Sequence, residues 1–214
     1  MLSRRATESP TNGFAEKPQA VSSRLLPMLL ESVEERERIN VLDAGGASQG
    51  TIDFFGGYKA RIHFVDLFSN ELVVEPPEEI DPVSACAGFR EYFDFPEELV
   101  FDVCLFWDVF HHMDLPVLEG FSRALAPYVD GRTLGYGFGS LHQGARAAER
   151  DRAPPPYFRY SIVDDGHLML RPATLRGRYY SHTQQELDEF FPVLSIHRAT
   201  LLREARLELL MAKP

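Results

Sequence analysis

The segment Val41-Leu42-Asp43-Ala44-Gly45-Gly46-Ala47-Ser48-Gln49-Gly50 constrains the fold of this chain more than any other. It joins an apolar strand pattern, Ile39–Asp43, to a helix starting near Gln49 through a turn of small residues. Such a turn lets a ligand approach backbone N–H groups at the edge where α/β sheets bind their ligands. Strand and helix patterns then alternate. Ile62–Asp66 is a second short buried strand ending in a carboxylate, 23 residues after Asp43. Phe89–Phe93 reads as a third strand, Phe101–Trp107 as a fourth and Thr133–Phe138 as a fifth, with a helix over Val117–Leu125. This alternation predicts a parallel sheet with helices on both faces.

The flanking segments differ in style. Leu25–Val33 carries an apolar stripe opposite Glu31, Glu34, Glu35 and Arg36, which predicts an amphipathic helix opened by Ser22 or Ser23 with Pro27 in its first turn. Gly139–Tyr180 is rich in Arg, Pro and Gly, the only basic region of the chain, and contains the hairpin-like Asp164-Asp165-Gly166. Thr183-Gln184-Gln185-Glu186 is a capping-box pattern opening a helix through Phe190. Leu194–Leu202 and Leu207–Met211 read as a terminal antiparallel hairpin. The expected fold is therefore α/β, a seven-stranded, mostly parallel, doubly wound sheet with a C-terminal antiparallel hairpin.

At 214 residues the chain suits one domain, expected over 21–214 after a disordered tail at 1–20, with 139–180 as an insert. A formal charge of −10 disfavours nucleic acid and anionic membrane surfaces, which need a cationic footprint. No apolar run reaches the roughly 18–20 residues of a membrane-spanning helix. Cys86 and Cys104 stand far apart without a metal-ligand pattern, and polar Ala6–Gly13 occupies the place of a signal-peptide core, so a cytoplasmic location is expected.

The order and spacing of these motifs resemble the class I S-adenosylmethionine-dependent methyltransferases, from Ile39 to the C-terminus apart from Gly139–Tyr180. Their glycine motif stands here as Val41–Gly50, with Ala47 in place of one glycine; their acid after the second strand stands as Asp66; and their fourth-strand pattern stands as Phe101–Met113, with its His-His finish. The resemblance implies S-adenosylmethionine as cofactor, contacted by Asp43, Gly45, Gly46, Ala47, Gly50, Asp66, Leu67, Glu91, Tyr92, Trp107 and Asp108. Either Glu91 or Asp94 is to meet the adenine. Asp66 is expected to accept hydrogen bonds from ribose hydroxyls.

His111 and His112, after the fourth strand, are candidate catalytic bases if the acceptor must lose a proton. A metal site at His111, His112 and Asp114 is not expected, because no partner cluster stands nearby. Tyr157, Arg159 and Tyr160 of the insert are candidate contacts of the methyl acceptor. That acceptor is expected to be a small molecule, since the Asn/Asp-Pro-Pro-Tyr/Phe signature of amino-methylating nucleic-acid enzymes is replaced by Trp107-Asp108-Val109-Phe110. Two alternatives are an NAD(P)-dependent oxidoreductase and a non-catalytic cofactor-binding protein of the same fold. The first is disfavoured because Asp43 would put a carboxylate near the dinucleotide diphosphate.

Overall fold

A computed structural model describes residues 17–140, 157–174, 177–202 and 206–214. Strand β1 (Gln19–Ser22) precedes helix α1 (Leu26–Glu31). Strand β2 (Ile39–Asp43) leads through the glycine turn into α2 (Gln49–Phe55), and β3 (Ala60–Phe64) follows. Helices α3 (Glu71–Val74) and α4 (Pro82–Tyr92) connect β3 to β4 (Val103–Trp107). Helix α5 (Leu115–Leu125) leads to β5 (Leu134–Ser140). Strands β6 (Tyr157–Asp164) and β7 (His167–Ala173), helix α6 (Gln184–Phe190), and strands β8 (Ser195–Leu201) and β9 (Arg206–Ala212) complete the chain. No helix among the described residues is long and apolar enough to cross a membrane.

The main sheet is mixed, in the order β3-β2-β4-β5-β9-β8. Strands β3, β2, β4 and β5 are parallel, and β9 pairs antiparallel with both β5 and β8. Strand β4, at the centre of this sheet, reads as an unbroken apolar run because both its faces are covered, and every one of its residues is buried. Among the described residues this sheet has six strands rather than the expected seven. The expected third strand, Phe89–Phe93, is instead the end of α4 and the residue that caps it. Asp81 caps that helix by accepting from the Val83 and Ser84 amides, and Pro82 opens its first turn. Phe89 and Phe93 then pack against Phe121 of α5.

A second, three-stranded antiparallel sheet, β1-β7-β6, is built largely from the basic insert. Gln19 and Ala20, expected in the tail, belong to it; the rest of that tail, through Glu16, lies outside the described residues, as does 141–156 of the insert. A buried cluster ties this sheet to the main one. Glu208 of β9 accepts from the Ser23 and Tyr136 hydroxyls and the Arg24 amide, and Ser23 N donates to Gly166 O at 2.8 Å. With three donors on its carboxylate, this fully buried glutamate has structural partners enough. The Thr183–Glu186 capping box forms as the sequence predicts.

Candidate functional site at the carboxyl ends of the parallel strands

Strand β2 delivers Asp43 to the carboxyl edge of the sheet at 1% exposure. Its Oδ1 accepts from Gly45 N at 2.8 Å and from Trp107 Nε1 at 2.6 Å. Burial nevertheless dominates and pushes its pKa up to about 7, with the Asp66 charge adding to the rise. Gly45 is a glycine for steric reasons: a Cβ there would lie 3.2 Å from Asp43 Oδ1 and 3.3 Å from the Trp107 ring. Gly46 and Ala47 are exposed, so the turn shows backbone to solvent.

Asp66, just beyond β3, takes a left-handed backbone (φ 37°) that bends the chain towards the turn. Its amide donates to Gly45 O at 3.2 Å, and its Oδ2 accepts from Ser69 Oγ at 2.7 Å. A Cβ on Gly46 would lie 3.4 Å from Asp66 Oδ1, so this carboxylate stands directly against the turn. Leu67 is fully buried and joins through its backbone, donating to Ala44 O at 2.8 Å. Tyr92 donates to Val65 O at 2.6 Å, which brings the end of α4 to Asp66. Glu91 and Asp94 are exposed, and no hydrogen bond ties either to the turn among the described residues.

Trp107 ends β4 with a left-handed backbone (φ 54°), unusual for so bulky a side chain. Its ring lies parallel to Tyr160 of β6, with centroids 5.2 Å apart. The next residue, Asp108, is half-buried, and its Oδ2 accepts from Tyr160 OH at 3.0 Å. Arg206 in turn donates to the Tyr160 oxygen at 2.6 Å, with its guanidinium 4.6 Å above the Phe138 ring. Among the described residues Asp108 Oδ1 has no hydrogen-bond partner, and burial raises the carboxyl's pKa against the pull of His112 and Arg206.

The two histidines separate. His111 exchanges hydrogen bonds with Tyr180, Nδ1 to O at 3.1 Å and O to N at 2.7 Å, and burial lowers its pKa to about 3. His112 meets Phe68 and Tyr157 edge-on, at 5.6 and 5.8 Å, and lies near Asp108. Burial lowers its pKa too, so both rings are neutral at pH 7.

A cavity of about 250 Å³ opens between the Gly45–Gly50 turn, Phe68, Trp107, the first residues of β6 and Arg171 of β7. Thus Gly45, Gly46, Ala47, Gly50 and Trp107 line one space with Tyr157, Arg159 and Tyr160; Asp66 borders the turn outside it. Phe68, Arg171 and Arg206 join the site without belonging to any of its sequence motifs. Counting back from Asp164-Asp165-Gly166 as a hairpin turn would have found Arg171, since it pairs Arg159 with Arg171. The long-range placements of Phe68 and Arg206 leave no local signal.

The donor and acceptor chemistry of this edge fits an adenosine-bearing sulfonium. The cavity falls short of the roughly 300 Å³ at which ligand pockets begin, so it has room for one end of such a molecule.

No family model and no curated protein matches the chain in sequence. Solved structures do. The PH0226 protein of Pyrococcus horikoshii is similar with a TM-score of 0.52, at 12% identity over 89% of this chain and 88% of that one. An S-adenosylmethionine-dependent methyltransferase from Clostridium acetobutylicum gives 0.47 at 12% identity, covering 87% and 89%. A 1,6-didemethyltoxoflavin-N1-methyltransferase from Burkholderia thailandensis, solved with its substrate and S-adenosylhomocysteine, gives 0.41 at 17% identity, covering 89% and 77%. The first likeness shows a shared fold; the structural neighbours include S-adenosylmethionine-dependent methyltransferases at low identity.

Proposed function

We propose that this chain is an S-adenosylmethionine-dependent methyltransferase acting on a small-molecule acceptor. The observation that carries the reading is the Asp66 carboxylate standing against Gly46, at the carboxyl ends of parallel strands. An anionic diphosphate seated on that turn would meet this carboxylate at close range. A ribose diol would instead donate to it, and a sulfonium would be attracted by it. A ribose-binding acid at this place is shared with dinucleotide sites; the dinucleotide reading is weaker because Asp43, the acid before the glycines, would stand near the diphosphate.

When bound, S-adenosylmethionine supplies an electrophilic methyl group on a cationic sulfur that leaves as a neutral thioether. In this reading Asp66 accepts from the ribose hydroxyls, and the Gly45–Gly50 backbone admits the ligand closely. Asp43 and Trp107 shape the turn from beneath. Trp107 and Tyr160 form an aromatic wall that keeps water from the cavity. The domain is the chain from residue 21 onward, joined by β1, and the 139–180 insert forms the acceptor side through Tyr157, Arg159 and Tyr160. Where the acceptor must lose a proton, the neutral His112 ring beside Asp108 is the base, and His111 holds the loop in place. Holding the acceptor in line is the larger part of the catalysis, since proximity can supply about 7–11 kcal/mol.

The test is incubation of the full chain with methyl-labelled S-adenosylmethionine and a small-molecule cell extract. The expected result is label in a low-molecular-weight product, lost in Asp66→Ala. Intact S-adenosylhomocysteine binding without any transfer would favour the non-catalytic alternative.

A further inference from the structure

Two arginines face the glycine turn from β6 and β7. Arg159 and Arg171 are direct cross-strand partners, so they share one face of the hairpin. Which face this is follows from strand alternation. On the same side of β6, the Tyr157 ring meets Phe68 at 5.0 Å. Two residues further along from Arg159, Ser161 packs on Gly50, where an added Cβ would lie 3.2 Å from Ser161 Oγ. Arg159 stands between these two anchors, over the Gly45–Gly50 turn, and Arg171 reaches the same place, donating to Ser161 Oγ at 3.0 Å. Like charges placed directly opposite on neighbouring strands destabilise a sheet. Among the described residues neither guanidinium has a carboxylate partner, although the chain carries an excess of acids.

We propose that Arg159 and Arg171 form an oxyanion site above the glycine turn that takes a carboxylate or phosphate group on the ligand seated there. The inference rests on the reading of this cavity as the ligand site. It adds the chemical class of the group that enters it. Two guanidiniums lining one small space suit the paired oxygens of such a group, and the neighbouring backbone, bare of side chains at Gly45 and Gly46, lets it approach. The anion has two sources: the amino-acid end of the cofactor, or an acidic group on the acceptor.

Calorimetric titration of the full-length protein separates the sources, using S-adenosylhomocysteine, 5′-methylthioadenosine (which lacks the amino-acid end) and inorganic phosphate as probes. Arg159→Gln and Arg171→Gln are the variants. Arg132→Gln, an exposed arginine paired with Asp130 elsewhere, is the control for lost charge. If the cofactor supplies the carboxylate, each site variant weakens S-adenosylhomocysteine at least about tenfold and leaves methylthioadenosine unchanged. If the acceptor supplies it, S-adenosylhomocysteine binds alike in all variants. Phosphate, bound by the parent protein with S-adenosylhomocysteine present, is then lost in both site variants. A parent that binds phosphate but neither nucleoside, with phosphate lost in both variants, supports the arginine site and overturns the cofactor reading. Site variants that match the parent for all probes overturn the arginine site and leave the cofactor reading standing.

Discussion

Both donors to Asp43 converge on a single oxygen, Oδ1, so an asparagine at this position keeps the acceptor for Gly45 N and Trp107 Nε1. Asp43→Asn is therefore expected to fold and to lose only the proton linkage. With the folded pKa raised from 3.8 to about 7, the folded chain holds a proton that the unfolded chain has released across that window. The Asp43 contribution to stability therefore falls as pH rises from about 4 to about 7 and is level above. Urea unfolding of parent and variant across this range should show their stability difference shrinking or reversing as pH rises; a constant difference would contradict the assignment. Asp43→Ala strands both donors and should cost about 1–3 kcal/mol for each. The sequence shows Asp43 and Trp107 as separate motif residues. It holds no sign that they bond across two strands, or that Trp107 adopts a left-handed backbone to do so, because both depend on the register of β2 against β4.

At the scale of elements, Gly120 lets α5 pack directly on α4. A Cβ there would lie 2.4 Å from Ala85 Cβ and 2.8 Å from Cys86 N, and the backbone cannot swing aside. Gly120→Ala should separate the helices and cost about 1–3 kcal/mol. Gly88→Ala should cost less, because the added Cβ meets the flexible end of Leu72 at 2.8 Å. Denaturation midpoints rank the two, and the reverse order would contradict this packing. The misread Phe89–Phe93 belongs to the same helix. Its aromatic run resembles a buried strand, while the opposing signal, Asp81-Pro82 followed by Ser84, stands eight residues before Phe89 at the other end of α4. Strand β4 is legible because a sheet strand buried on both faces is apolar throughout, and β2 and β5 share enough of that apolar character to be read with it. Strands β6 and β7 carry a visible turn and alternation, but the surface they cover is set by long-range packing.

Across the whole molecule, a chain of polar contacts from Arg206 to Tyr160 to Asp108 links the β6–β7 hairpin to the main sheet beside the cavity. Tyr160→Phe keeps the ring on Trp107 but removes the hydroxyl that donates to Asp108 Oδ2, on a carboxyl whose other oxygen already lacks a hydrogen bond among the described residues. A loss of about 1–3 kcal/mol is expected, with hydrogen exchange rising in β6 before the main sheet. An unchanged denaturation midpoint would show that the contact contributes nothing. The same geometry provides a direct probe of the central claim. Trp107 is the only tryptophan of the chain, it lines the cavity, and it bonds the acid of the glycine motif. Titration of the full chain with S-adenosylhomocysteine, followed by Trp107 emission and in parallel by calorimetry, should give one saturable transition. That transition should weaken at least about tenfold in Asp66→Ala and be absent with NAD⁺. Saturable binding of NAD⁺ with no heat and no emission change for S-adenosylhomocysteine would contradict the account.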